Sequence, residues 1–188
     1  MPTLSVFENV STDGYFTDAH GDMSWAHDGG DDPEWQAFVS GNASGSDGAL
    51  MFGRVTYEEM ASFWPTPQAM QQMPAVAEGM TRMAKIVVSR TLTEPGWANV
   101  RILDGELVPA VRKLKAGTGP NMVILGSGSV VAQLAAAGLI DSYQLVVCPV
   151  ALGGGRTLFD GLPKPASLKL TASRAFANGK VVNTYAPA

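Results

Sequence analysis

Met122-Val-Ile-Leu-Gly-Ser-Gly-Ser-Val-Val-Ala-Gln-Leu134 is the stretch whose reading decides the fold. Val123, Ile124 and Leu125 form a short strand-like run that stops at Gly126-Ser-Gly128-Ser129, and a helical pattern follows. A glycine-rich turn between strand and helix leaves backbone N–H groups unpaired beside the positive end of the helix dipole. Such a turn suits phosphate, and glycine lets a ligand approach the backbone closely. Position 131 is Val, where the dinucleotide fingerprint G-x-G-x-x-G has its third glycine, and this weakens a standard Rossmann reading. A tight strand-to-helix turn without any ligand is the plain alternative.

Two further turns have the same character. Gly53-Arg54-Val55-Thr56 stands where a predicted strand (48–53) becomes a helix (55–63). Its free N–H groups, the Thr56 hydroxyl and the Arg54 guanidinium suit a phosphate, although a capped helix with an exposed arginine looks the same. Ser89-Arg90 follows the strong strand candidate 85–89, and an arginine and a hydroxyl there suit a ribose 2′-phosphate. Alone, Arg90 reads as a surface residue; three such turns, each after a strand, make coincidence harder to accept.

Outward from these turns, strands and helices alternate over the first two-thirds of the chain, which predicts parallel strands with crossovers. A strand opens the sequence at 3–9, a loop covers 11–32, and Asp32-Pro33 starts a helix. Residues 65–74 read as a loop before a short helix at 74–81, and Asp104 is the expected cap of the helix carrying Leu107, Val108, Val111 and Leu114. Asn178-Gly179 between two strand-like runs (166–175 and 180–186) is a hairpin signal. The prediction is a three-layer α/β domain whose sheet is mixed and mostly parallel, with a C-terminal antiparallel hairpin.

The 188 residues fit one domain, and 46% hydrophobic with 16% charged residues supply a full core. A net charge of −4 argues against nucleic acid as a partner. The single Cys148 excludes an intramolecular disulfide and sits in an apolar run as a small hydrophobe. No signal peptide and no membrane-spanning run are visible, so a cytoplasmic protein is expected. His20 and His27, seven apart, fit no zinc pattern, and no metal is expected.

Other residues carry less specific signals. The 13–28 loop holds Asp13, Tyr15, Phe16, Trp25 and Asp28, and reads either as a lid over a planar ligand or as a loop anchored by its aromatics. Glu34 beside Trp35 and Phe38 suits the N–C–N edge of a pyrimidine or pterin; a first-turn acid favoured by the helix dipole is the simpler account. The run from Ala151 through Gly153-Gly-Gly155 to Arg156 and Phe159 is either a mobile loop near a ligand or a crossing connection.

Taken in order, Ser11-Thr-Asp13-Gly14-Tyr15 with Trp25, Leu50-Met-Phe-Gly53-Arg54-Val-Thr56-Tyr-Glu58, Ile86-Val-Val-Ser89-Arg90, Ile124-Leu-Gly126-Ser-Gly128-Ser129 and Pro149-Val-Ala-Leu-Gly153 onward resemble the dihydrofolate reductase-like superfamily. The nearest branch is the reductase domain of the bifunctional riboflavin-biosynthesis deaminase-reductase and its stand-alone relatives. The resemblance spans nearly the whole chain and implies an NADPH-dependent reductase on a sheet of about eight strands. It implies that Gly53, Arg54 and Thr56 hold the pyrophosphate, that Ser89 and Arg90 hold the ribose phosphate, and that Gly126, Ser127, Gly128, Ser129 and Val130 contact the cofactor. Gly14, with Asp13, would lie along the nicotinamide. Glu34 or Asp13 is the expected proton donor, with an ordered water as the other source. Trp25, Trp35, Phe38 and Arg156 are the expected substrate contacts, Arg156 for a phosphoribosyl group. The deaminase's His and Cys zinc motif is absent from this sequence, so no deaminase activity is expected.

Two functions of different class follow. One is hydride transfer to a C=N bond of a small heterocyclic substrate; the other is a non-catalytic nucleotide- or flavin-binding module built on the same turns. A homodimer through the C-terminal strands or the Met-rich 70–83 segment is a further expectation, although both segments also suit the core.

Overall fold

The computed structural model describes residues 1–27, 30–44, 48–103 and 105–188. Asp28 and Asp104, the expected helix cap, lie outside the described residues. Six strands run parallel: β1 (Leu4–Ser11), β2 (Ala49–Gly53), β3 (Ala84–Val88), β4 (Val100–Leu103), β5 (Met122–Leu125) and β6 (Ser142–Cys148). The hairpin β7 (Leu168–Ala175) and β8 (Val181–Pro187) joins antiparallel, giving one sheet of order β4-β3-β2-β5-β1-β6-β8-β7. Helices α1 (Pro33–Ser44), α2 (Arg54–Phe63), α3 (Pro67–Gln72), α4 (Pro74–Arg82), α5 (Leu107–Ala116) and α6 (Gly128–Ala136) flank it. The predicted α/β architecture is the observed one.

Local chemistry sets the element ends. Asp32 Oδ1 accepts the N–H groups of Glu34 and Trp35 at 3.0 and 3.1 Å, which caps α1. At the tip of the hairpin, Gly179 takes φ +84° and Asn178 Oδ1 accepts the Lys180 N–H at 3.0 Å. The expectation of a loop over 65–74 is corrected. Pro67 and Pro74 each stand at the start of a helix, where a missing N–H costs nothing, and the Thr66 hydroxyl caps α3. The Met-rich segment divides accordingly, with Met80 and Met83 buried and Met70 and Met73 exposed.

Both faces of the sheet are covered. Leu4, Val6, Met51 and Ile124 pack against Val111 of α5 and Val131 and Leu134 of α6. On the other face, Leu50, Phe52 and Val87 meet Tyr57 of α2 and Val76 and Met80 of α4. Trp35 of α1 joins Val146, Cys148, Phe176 and Val182 there. Lys85 is fully buried in β3, its ammonium donating to the carbonyls of Thr81, Met83 and Ala98 and lying 4.2 Å from the Trp97 ring centre. It is thus fully paired inside the core.

One consequence of strand order fixes where ligands fit. From β1 the chain crosses by α1, on one face, to β2; from β5 it crosses by α6, on the other face, to β6. The chain therefore diverges at β5 and β1, leaving a crevice outside their carboxyl ends. Such switch points are where open α/β sheets take ligands.

Candidate functional site

The strands β3, β2, β5 and β1 are consecutive neighbours and parallel. Their carboxyl ends therefore bring Ser89-Arg90, Gly53-Arg54, Gly126-Ser127 and the Asp13-Gly14 loop into one row. The two central turns are stitched together. Ser127 Oγ accepts the Gly53 N–H at 2.6 Å and donates to Thr56 Oγ1 at 3.0 Å. A Cβ on Gly126 would lie 2.9 Å from Thr56 Cγ2, so the approach of the turns requires glycine there. Ser127 takes φ +65° and ψ 56°, a left-handed conformation that costs a non-glycine residue energy. Neither α2 nor α6 has a side-chain cap. Two helix starts without side-chain caps therefore stand side by side at the switch point.

Gly128 also packs against a protein ring. A Cβ there would lie 2.3 Å from Phe16 Cζ, so this glycine receives a protein ring as well as opening α6. Ser129 is exposed on the first turn, and Val130 is buried with its N–H on the Ser127 carbonyl at 2.8 Å.

The arginines differ in readiness. Arg54 forms an ion pair with Glu58 one turn along α2, at 2.7 Å, and must leave it to reach a phosphate beside Gly53. Both partners are about half exposed, so that exchange is cheap. Arg90 is exposed, and no ion pair holds it among the described residues. Ser89 Oγ accepts the N–H groups of Thr91 and Leu92, at 3.1 and 2.9 Å, and so shapes the turn that presents Arg90.

The first loop is anchored. The Thr12 N–H and hydroxyl both donate to the Val150 carbonyl, and the Phe16 N–H donates to the Arg156 carbonyl. Arg156 Nε reaches Thr17 Oγ1, and its guanidinium lies 5.3 Å from the Phe16 ring centre. Arg156 is thus tied to the loop, and the 151–156 run is docked against it. Asp13 accepts the N–H groups of Leu152 at 3.1 Å and Gly153 at 2.7 Å. Hydrogen bonds from the Ser11 side chain, then from the Gly153 and Leu152 N–H groups, lower its pKa to about 2. The expectation that Asp13 donates a proton is therefore corrected, because at neutral pH it is a carboxylate that clamps two loops. Gly14, at φ +89°, closes the turn beside it.

Glu34 is not brought to the row of strand ends. Its carboxylate pairs with Arg174 of β7 at 3.0 Å, and its side chain is 74% exposed. The cause is Asp32, whose Oδ2 accepts the Asn178 N–H and fastens the start of α1 to the hairpin. The picture of Glu34 in an apolar cleft with its aromatic neighbours is corrected. Trp35 is core, edge-on to Phe176 at 5.2 Å. Phe38 is half buried between Trp35, Phe176 and Phe7 of β1. Trp25 is half buried on the same cluster, its indole N–H on the Asp22 carbonyl.

Sequence reasoning missed Glu8. In β1 it follows Leu4 and Val6 on the inward face and is 2% exposed. Burial raises its pKa from 4.5 to about 8, against the lowering effect of the Asn9 N–H on Oε1. The alternation Leu4, Val6, Glu8, Val10 was the available signal, since it puts an acid on a core-facing position. Two cavities, of about 530 and 360 Å³, lie at the opposite, amino ends of the strands, against Thr81 and Asn99 and against Pro2 and Asn121.

The family model for the RibD C-terminal domain matches residues 2–182. The chain belongs to the RibD C-terminal domain family. Solved structures similar to this chain include a proposed riboflavin biosynthesis protein from Shewanella sp. PV-4, 26% identical, with a TM-score of 0.73 and 99% of each chain covered. A pyrimidine reductase-like protein from Corynebacterium diphtheriae matches at 15% identity and TM-score 0.65, over 100% of this chain and 92% of that one. The Thermotoga maritima diaminohydroxyphosphoribosylaminopyrimidine deaminase/5-amino-6-(5-phosphoribosylamino)uracil reductase matches at 16% identity and TM-score 0.72, over 100% of this chain and 57% of its own. By sequence, the uncharacterized protein YyaP of Bacillus subtilis (strain 168) is 26% identical over 136 residues, 72% of each chain. Membership points to a reductase-like enzyme of the riboflavin-biosynthesis type. Among the described residues, no helix is long and apolar enough to cross a membrane.

Proposed function

We propose that this chain binds NADPH along the carboxyl ends of β3, β2, β5 and β1 and reduces a C=N bond of a pyrimidine- or pterin-like substrate. The reaction nearest in kind is the reduction of 5-amino-6-(5-phosphoribosylamino)uracil. The observation that carries this reading is the stitched pair of uncapped helix starts, joined through Gly53, Ser127 and Thr56 at the switch point. They suit a pyrophosphate, and Arg90, two strands from Gly126 and held in no ion pair among the described residues, suits a 2′-phosphate.

When bound, NADPH would supply a hydride from nicotinamide C4. The chain's part is to hold donor and acceptor carbons about 3–3.5 Å apart and to exclude water. The hydride goes to the carbon of the C=N bond and a proton to its nitrogen. With Asp13 ionised and Glu34 paired at the surface, water is the proton source. The docked 12–17 and 150–156 loops form one wall of the crevice, and Phe38 is the available aromatic surface beside β1.

Binding of NADPH and NADH, followed by calorimetry, tests the reading. Wild type is expected to bind NADPH well below millimolar, and Arg90→Ala is expected to lose about tenfold or more for NADPH with little change for NADH. Failure to bind either dinucleotide overturns the reading; equal losses for both remove Arg90 from the 2′-phosphate. NADPH binding with no oxidation of NADPH by any pyrimidine or pterin would favour the non-catalytic module.

A further inference from the structure

The Glu8 carboxyl is buried in β1, next to the switch point. The Thr3 carbonyl accepts from Met122 of β5, and the Leu4 carbonyl accepts from Asp141 at the entry to β6. Odd residues of β1 therefore turn their N–H and C=O toward β5, and even residues toward β6. Phe7 pairs with Leu125, the last residue of β5. Two residues later, the Asn9 N–H points to the β5 side with no strand to receive it. Glu8 Oε1 accepts that N–H at 3.0 Å, so the carboxyl lies on the β5 side, past the end of that strand.

The group is a neutral acid at pH 7, because burial holds its pKa near 8 and no cation pairs with it among the described residues. With Oε1 occupied as an acceptor, the proton belongs on Oε2. Among the described residues, Oε2 is the one buried side-chain oxygen or nitrogen without a hydrogen-bond partner. A buried donor with nothing to receive it costs stability unless a ligand completes it.

We propose that Glu8 is a positioning residue for the nicotinamide, its Oε2–H donating to the carboxamide oxygen of a ring seated between the ends of β5 and β1. This rests on the NADPH reading of the same strand ends. The acid fixes which way the ring lies, because only one edge of the ring carries a carbonyl. It takes no part in moving hydride or proton.

The test compares NADPH with adenosine 2′,5′-bisphosphate, which has the phosphate-bearing adenosine and no nicotinamide. Calorimetry is run on wild type, Glu8→Leu and Glu8→Gln, with a thermal melt to check that each is folded. Glu8→Leu is expected to lose about tenfold or more in NADPH affinity while binding the bisphosphate as wild type does. Glu8→Gln restores an N–H donor and a carbonyl acceptor and is expected to bind NADPH within about threefold of wild type. Equal NADPH affinity in wild type and Glu8→Leu overturns the proposal, and so does a parallel loss of both ligands, which marks a purely structural role. If wild type binds the bisphosphate and NADPH and only the Glu8 comparison fails, the NADPH reading survives. If wild type binds neither, that reading falls and this one with it.

Discussion

Glu8 and Asp13 are five residues apart and have opposite chemistry. Glu8, on the core-facing side of β1, is an acid whose pKa is raised to about 8 by burial. Asp13, just beyond the strand, is a carboxylate whose pKa is lowered to about 2 by the Ser11 side chain and the Gly153 and Leu152 N–H groups. One carboxyl has a single backbone N–H as partner and keeps its proton; the other has several and gives its proton up. Environments that push two titratable groups apart in this way assign their roles. Asp13 is a clamp, and Glu8 is the hydrogen-bond donor of the pair.

The sharpest way to break the comparison is to unseat the clamp without touching either acid. Gly155 has φ +150°, and a Cβ there would lie 1.9 Å from the Thr17 carbonyl oxygen. Backbone on backbone has little freedom to yield. Gly155→Ala is therefore expected to cost about 3 kcal/mol or more of stability in urea unfolding, as overpacking does. It should also return the Asp13 pKa toward its ordinary value in an NMR titration while leaving Glu8 unchanged. A stable Gly155→Ala protein with Asp13 still near 2 would mean that the two loops are not docked as described.

Next in size is the pH dependence that Glu8 imposes. Its folded pKa, about 8, is above the unfolded value of 4.5. The folded state therefore keeps a proton that the unfolded chain has released. The stabilisation is complete below about pH 4.5 and is lost as pH rises through about 8. Wild type is expected to lose roughly 2–3 kcal/mol between pH 5 and 7 from this group, and Glu8→Gln should remove that slope. Identical urea midpoints against pH for the two proteins would place Glu8 in water, not in the core.

These two acids also mark how far the sequence could be read. The parallel alternation, the final hairpin and the places of the three turns at strand ends were legible, because glycine, proline and strand-like runs act locally. The 65–74 segment was misread because prolines were taken as breakers when Pro67 and Pro74 begin helices. Glu34 was misjudged because its partner, Arg174, is 140 residues away and only the docking of α1 on the hairpin brings them together. The stitch of Ser127 to Gly53 and Thr56 is equally non-local. The contact of Gly128 with the ring of Phe16, from a loop more than a hundred residues earlier, was equally out of reach. Asp13 was taken for a donor because its acceptor role depends on N–H groups at 152 and 153. Glu8 was the one residue whose surroundings could have been inferred, from its place in an alternating strand.

The smallest expected effect is on the other acid. The Asp13 pKa, about 2, is below its ordinary value of 3.8. Its contribution is present above pH 3.8 and is lost as pH falls through about 2, the reverse of Glu8. Asp13→Asn keeps one carbonyl acceptor and loses the charge that serves both Leu152 and Gly153 N–H groups. At pH 7 the variant should remain folded, with faster amide exchange at 152 and 153 and with exchange in the strands β1 and β6 unchanged, since the opening is local. Faster exchange throughout β1 would mean that the clamp supports the whole sheet. No change at 152 and 153 would mean that the many backbone bonds between the loops hold them without Asp13, leaving the burial of Glu8 as the only one of the two environments with a measurable consequence.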